Sequence, residues 1–268
     1  AIGIVCGLIV QTANVGFAAE GHSDEELAKK LANPIAALIS VPFEFNYNNG
    51  FGSEDGEQLL LNIQPVIPFT LTEDWNLISR TILPVIWQED VAGRSGEQFG
   101  LGDTLQSVFF SPSIPNETKI GNLTWGAGPV ILIPTGTGNL LGSDKWGLGP
   151  TGVALIQEGP WTYGALVNHV WSVAGDNDRD EVSNTFIQPF LAYTTPSAWT
   201  YSVQSETSYN WDTRKWSVPV NIAVAKLVMM GKLPVSLQAG VGRWLDSPDS
   251  GPDGWRFRLQ ANFVLPKP

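Results

Sequence analysis

The C-terminal stretch from Trp255 to Leu265 alternates with a period of two residues. Trp255, Phe257, Leu259, Ala261, Phe263 and Leu265 fall on one face, and Arg256, Arg258, Gln260 and Asn262 on the other. A helix would scatter both sets around its circumference. A pleated strand sends successive side chains to opposite sides and keeps them apart. The segment is therefore a strand with one apolar and one strongly polar wall. In a water-soluble sandwich the apolar wall would face a core, whereas in an outer-membrane barrel it faces lipid and the arginines face a wet lumen.

The rest of the chain repeats the pattern. From Val41 onward about twelve strands can be read, separated by turn clusters rich in the 28 Gly and 19 Pro of the chain. Trp199, Tyr201, Val203, Ser205, Thr207 and Tyr209 oppose Thr200, Ser202, Gln204, Glu206, Ser208 and Asn210 in a second clean alternation. The stretches Phe99–Phe110 and Leu148–Gln157 alternate poorly. Strands of roughly 10 to 13 residues exceed the five or six usual in soluble sheets. Connections alternate short (Leu71–Asp74, Glu158–Pro160) and long (Asn49–Gln58, Pro134–Trp146, Ala174–Glu181), the rhythm of periplasmic turns and extracellular loops. Pro65, Pro84, Pro129, Pro189 and Pro219 inside strands count against a regular ladder, since each removes a donor. The expected fold is all-β: an outer-membrane antiparallel β-barrel of about twelve strands over residues 41–268. The weaker alternative is a secreted sandwich.

Residues 1–10 (AIGIVCGLIV) and the small residues through Ala18-Ala19 resemble the apolar core and cleavage site of a secretory signal, so residues 1–18 are expected to be removed on export. The run is too short to span a bilayer as a helix. Cys6, the one cysteine, lies within it. In residues 19–40, Ser23 followed by Glu26 is a capping box that predicts a short helix ending before Asn33-Pro34. That helix could plug the barrel or lie in the periplasm. A formal net charge of -11 excludes nucleic acid as a partner. Membrane lipid and a small solute are the expected partners, the outer membrane of a Gram-negative-type bacterium the expected location, and no cofactor is expected.

Parity places Glu44, Arg80, Gln188, Gln204, Glu206, Arg256 and Arg258 on the lumen side. The first and last strands must meet to close a barrel, which makes Glu44 and Arg258 a seam pair. These charges either hydrate and stiffen the wall or form a constriction that filters solutes. Among the 11 Trp, Trp75, Trp87, Trp125, Trp161, Trp171, Trp199 and Trp255 stand near strand ends on the apolar parity, as membrane-interface aromatics do. Asp176, Asp178 and Asp180 form a weak calcium candidate without the Gly and closing Glu of a helical calcium loop. Gly147-Leu148-Gly149-Pro150-Thr151-Gly152 matches a dinucleotide fingerprint by letter but lacks its strand–helix setting, and reads as a loop rim where backbone passes closely. Of two histidines, His22 belongs to the N-terminal segment. His169 falls on the lipid-side parity beside Trp171, which argues against a general base.

Several stretches carry a family likeness: Leu27-Ala28-Lys29-Lys30-Leu31-Ala32-Asn33-Pro34, Ser40-Val41-Pro42-Phe43, Gly100-Leu101-Gly102-Asp103, Pro134-Thr135-Gly136-Thr137-Gly138, Gln188-Pro189-Phe190 and, most specifically, Leu141–Pro150. With these the chain resembles the outer-membrane transporters of the phenol-degradation meta-pathway family. The resemblance implies a barrel channel for small aromatic or hydrophobic compounds and carries no catalytic residue over to this chain. The expected function is passive passage of small solutes. Its alternatives are a structural or adhesive barrel acting through its loops and a hydrolase, the latter requiring His169 at the lumen or a rim beside a Ser or Asp.

Overall fold

In the computed structural model, which describes residues 23–266, strand follows strand from Ile39 onward and each pairs antiparallel with its predecessor. The described residues form twelve barrel strands. They are β1 (Ile39–Phe51), β2 (Gly56–Ile63, continued by Val66–Thr70), β3 (Trp75–Glu89), β4 (Glu97–Leu101, continued by Thr104–Pro112), β5 (Gly121–Ile133) and β6 (Lys145–Glu158). They continue with β7 (Trp161–Gly175), β8 (Ser183–Thr194), β9 (Trp199–Ser205, continued by Thr207–Asn210), β10 (Lys215–Met230), β11 (Leu233–Asp246) and β12 (Trp255–Leu265). β12 pairs back onto β1, from Ile39 opposite Leu265 to Asn48 opposite Arg256, and the sheet closes. Closure satisfies every strand edge, the condition for a sheet to stand in a hydrocarbon layer. The expected all-β barrel of twelve strands with a short helix ahead of it is the observed architecture. The sandwich is excluded, because Trp255, Phe257 and Leu259 are exposed on the outside while Arg256 and Arg258 are buried inside.

The in-strand prolines fall where the ladder is already broken. Pro65 occupies the gap between the two parts of β2. Glu206 interrupts β9, yet register is continuous across it: Gln204 opposes Phe190 and Thr207 opposes Ile187, so Glu206 falls opposite Gln188 on one side and Pro219 on the other. Proline has no N–H to offer there. Pro219 also sits at a register shift between β10 and β11. Several loops are shorter than the sequence suggests. The connection after β1 spans only residues 52–55, because β1 continues to Phe51 and β2 begins at Gly56, and the Gly-rich connection spans 134–144. Gly147 to Gly152 lie within β6 rather than in a loop. A Cβ on Gly149 would stand 1.7 Å from the His169 carbonyl oxygen, so the glycine serves close backbone approach between β6 and β7.

Helix α1 (Asp24–Leu31) begins at the capping box read from sequence: the Ser23 hydroxyl accepts from the Glu26 amide at 3.2 Å and the Glu26 carboxylate from the Ser23 amide at 3.1 Å. The segment seals part of the bore. Leu27 and Ala28 pack on Ala198, Leu227 and Val264 at the periplasmic end of β9, β10 and β12, and Gln157 of β6 donates to the Lys29 carbonyl at 3.1 Å. The same carbonyl accepts from the Ala32 amide at 3.1 Å, so the last turn of the helix is tied to the barrel wall. Beyond it, Ile35 is 2 % exposed, buried among Val66, Ile78, Phe109, Val153, Leu155 and Leu166. The helix is therefore a partial plug rather than a periplasmic appendage. Residues 1–18, with Cys6, and His22 lie outside the described residues.

Candidate functional site: the barrel lumen

Inside, the barrel has two unlike walls. From β9 through β12 to β1 the inward positions at mid-height are mostly polar (Ser202, Gln204, Glu206, Asn221, Ser236, Gln238, Arg256, Arg258, Gln260, Asn262, Ser40, Glu44 and Asn46), with Pro219 and Ala225 among them and Leu227 and Val264 toward the helix. From β3 to β8 they are largely apolar at mid-height: Ile78, Ile82, Phe109, Val130, Leu132, Val153, Leu155, Leu166 and Phe186. This corrects the expectation of a polar lumen all round. It also explains the weak alternation of Phe99–Phe110 and Leu148–Gln157, where apolar side chains face both lipid and bore.

On the polar wall the candidate charges form one connected network. Arg258 makes two bonds to Glu206, 2.9 Å to Oε1 and 2.8 Å to Oε2, and approaches Glu44 Oε1 at 3.3 Å. Arg256 Nη1 donates to Glu206 Oε2 at 2.6 Å. Asn46, which sequence reading passed over, ties the group together: it accepts from Arg258 Nε at 2.7 Å and donates to Glu44 Oε1 at 2.8 Å. Gln204 extends it, donating to Glu206 at 3.4 Å and accepting from Gln188 at 3.5 Å. The arginines of β12 must cross β11 and β10 to reach β9. Gly240 and Gly242, opposite Arg258 and Arg256 in β11, leave that path clear, and a Cβ on Gly242 would lie 2.3 Å from Asn221 Oδ1. Glu44 and Arg258 thus meet at the seam, diagonally, since Glu44 itself opposes Gln260.

Toward the extracellular rim the inward residues build an amide ladder. Asn48 donates to Gln58 at 3.4 Å, Gln58 to Gln88 at 3.0 Å, and Gln88 to both Gln98 at 3.2 Å and the Leu140 carbonyl at 3.1 Å. The last bond draws the 134–144 loop onto the lumen face of β3. Asp103, in the gap of β4, anchors the same loop through the Ser143 amide and hydroxyl, both at 2.6 Å, and the Gly136 amide at 3.1 Å. From the far side Arg179 donates to the carbonyls of Asn139, at 2.7 Å, and Gly142. Next to it, Glu181 accepts from Lys145 Nζ at 2.8 Å and from the Ser172 hydroxyl. The Lys145 ammonium, first, and then the hydroxyl hold the Glu181 carboxyl below the ordinary carboxylate value.

Arg80 makes no direct ion pair with the charge network, although Glu44 and Glu206 act on it at longer range. It lies on β3 between Ile78 and Ile82 and donates to Gln64 Oε1 at 2.9 Å. Together with both walls it borders a cavity of about 570 Å³ that reaches from the N-terminal segment to Arg256 and Trp244.

Outside, Trp75, Trp125, Trp161 and Trp199 ring the periplasmic strand ends, and Trp87, Trp171 and Trp255 the extracellular ones. Trp75 and Trp125 meet edge to face with centroids 5.9 Å apart. His169 points outward too; its ring is 4.0 Å from that of Trp171, and its Nδ1 lies 2.7 Å from the Thr185 hydroxyl. As to the condition set for a hydrolase, the ring lies near the strand end beside Trp171, and its hydroxyl neighbour is Thr185 rather than a Ser or Asp. Among the described residues no three acidic or histidine side chains converge to hold a metal, the Asp176, Asp178 and Asp180 loop included.

No family model and no curated relative matches the sequence. Among solved structures, the COG4313 outer membrane channel from Pseudomonas putida F1 superposes with a TM-score of 0.68 at 16 % identity, covering 85 % of this chain and 96 % of that one. Outer membrane phospholipase A from Escherichia coli follows with a TM-score of 0.51 at 12 % identity over 90 % of this chain and 98 % of that one. The Salmonella typhi phospholipase dimer with bound calcium gives 0.51 at 11 % identity over 92 % and 99 %. These likenesses establish the outer-membrane barrel fold, which is shared by a channel and by an enzyme.

Proposed function

We propose that the protein is a passive outer-membrane channel for small solutes, passing along the polar wall and partly closed at its periplasmic mouth by the N-terminal segment. The observation that carries this reading is the cavity of about 570 Å³ between the segment and the Glu206–Arg256–Arg258 network. A barrel serving only as a scaffold has no need of an unfilled interior lined by charges. Small aromatic or hydrophobic compounds, the class suggested by the resemblance to phenol-pathway transporters, suit the apolar wall, and Glu44, Arg80, Gln188, Gln204, Glu206, Arg256 and Arg258 are the residues such a solute would pass.

One observation favours a second reading. The plug residues Leu27 and Ile35 are packed as core, so the barrel also fits a closed, loop-presenting role. Single-channel conductance of the refolded protein in a planar bilayer, with and without residues up to Asn33, separates the two. Current steps from the full-length chain support the channel. Steps only after truncation make the segment a gate. Silence from both proteins, with heat-modifiable mobility confirming the barrel, favours the second reading.

A further inference from the structure

Four of the five lumen charges balance one another, Glu44 and Glu206 against Arg256 and Arg258, through contacts of 2.6 to 3.3 Å. Arg80 feels Glu44 and Glu206 at longer range but touches neither. Among the described residues no carboxylate lies within 4.0 Å of its guanidinium, which donates to the neutral Gln64. A guanidinium carries five N–H donors in a planar fork suited to two carboxylate oxygens. Three guanidiniums against two carboxylates leave this group of five with one positive charge in excess. Arg80 borders the 570 Å³ cavity, and so do Ile82, Leu105, Leu132 and Phe186 of the apolar wall. A volume of this size is within the roughly 300–1,000 Å³ range of small-molecule sites. Cation and apolar surface thus open onto one space.

We propose that this cavity is a binding site for small amphipathic carboxylates, the carboxylate seated on Arg80 and the apolar body, arene or short alkyl chain, lying along Ile82, Leu105, Leu132 and Phe186. The site rests on the channel reading for how such a solute arrives and leaves. Its recognition chemistry is independent of whether current flows. The balanced Glu206 network stays intact while the solute binds, because Arg80 supplies the countercharge.

The test is equilibrium binding to the full-length refolded protein in micelles, by ligand-observed NMR with protein-free micelles as reference. Benzoate, benzyl alcohol and acetate are the probes. Benzoate is expected to bind about tenfold or more tighter than either of the others, the scale of a charge-assisted bond added to apolar burial. Arg80→Gln should bring benzoate down to the level of benzyl alcohol and leave benzyl alcohol unchanged. Equal affinity of the wild-type protein for benzoate and benzyl alcohol would overturn the site, whether or not the variant folds. So would an Arg80→Gln protein that keeps the benzoate preference. Planar-bilayer recording on the same preparation keeps the two readings apart. A silent barrel that binds benzoate retains the site and loses the channel, and a conducting barrel without benzoate preference does the reverse.

Discussion

The two walls of the bore are built from the same strand geometry by opposite means. From β9 round to β1 the inward side chains are held by hydrogen bonds and ion pairs: Asn46, Arg256 and Arg258 are buried in their own network, while Ser202, Gln204, Gln238 and Gln260 face the cavity. From β3 to β8 they are held by close packing, with Phe109 and Val130 fully buried and Ile35 inserted among them. A polar wall requires each charge to have its partner. An apolar wall requires volume to be filled, and the plug fills it. The difference teaches that the plug covers one part of the apolar wall, around Ile78, Phe109 and Leu155, and leaves Ile82, Leu105 and Leu132 to share the cavity with the polar wall.

Substitutions on either wall can break that contrast. The largest effect is expected on the packed side. Phe109→Ala should lower the folding free energy by about 4 kcal/mol, since removing a fully buried ring leaves a cavity. Urea titration in lipid vesicles checks this, and a loss below about 1 kcal/mol would mean that the apolar wall is loosely filled. On the polar side Arg258→Met should cost about 3 kcal/mol, because Glu206, Glu44 and Asn46 lose a buried partner. Adding Glu206→Gln should recover part of that loss, and simple additivity of the two would show that the contacts are not coupled.

Between the walls, Ile35→Ala removes roughly 2 kcal/mol of plug packing while leaving the β-sheet untouched. The expected result is a larger open fraction in single-channel records with unchanged urea stability of the barrel. The smallest effect concerns the rim. Glu181 is held below the ordinary value of 4.5 by Lys145 and Ser172. A carboxyl with a lowered folded pKa contributes order that is present above the unfolded value and is lost as pH falls through the folded one. Loop-dependent current noise should therefore stay constant down to about pH 4.5 and rise below it, and Glu181→Gln should abolish that rise.

Legibility followed the same division. In β12 and β9 one face is wet and the other meets lipid, so parity alone placed Arg256, Arg258, Gln204 and Glu206 inside, and closure of the barrel placed Glu44 beside Arg258. In β4 and β6 both faces are apolar, and period two disappears although the strand is regular. The weak alternation of Leu148–Gln157 was itself the mark of the apolar wall. Asn46 stood on the same inward parity as Glu44 but carries no charge to draw notice. Ile35 had no local signal, since its burial depends on Val66, Phe109 and Leu155 being brought round by strand pairing far along the chain. Pro189 and Pro219 read as faults in the ladder, whereas in the closed sheet they surround the one gap in β9, where Glu206 is turned to the bore.

The most direct test of the two-walled lumen is thiol accessibility in the folded barrel, with Cys6 replaced by Ser. Single cysteines at Ser202 and Gln238 on the polar wall should react readily with a small charged thiol reagent. Cysteines at Ile78 and Leu155, 2 % and 1 % exposed, should be protected and become reactive when residues up to Leu38 are removed. Equal reactivity at all four positions in the full-length protein would contradict the division of the lumen into an open polar side and a packed apolar one.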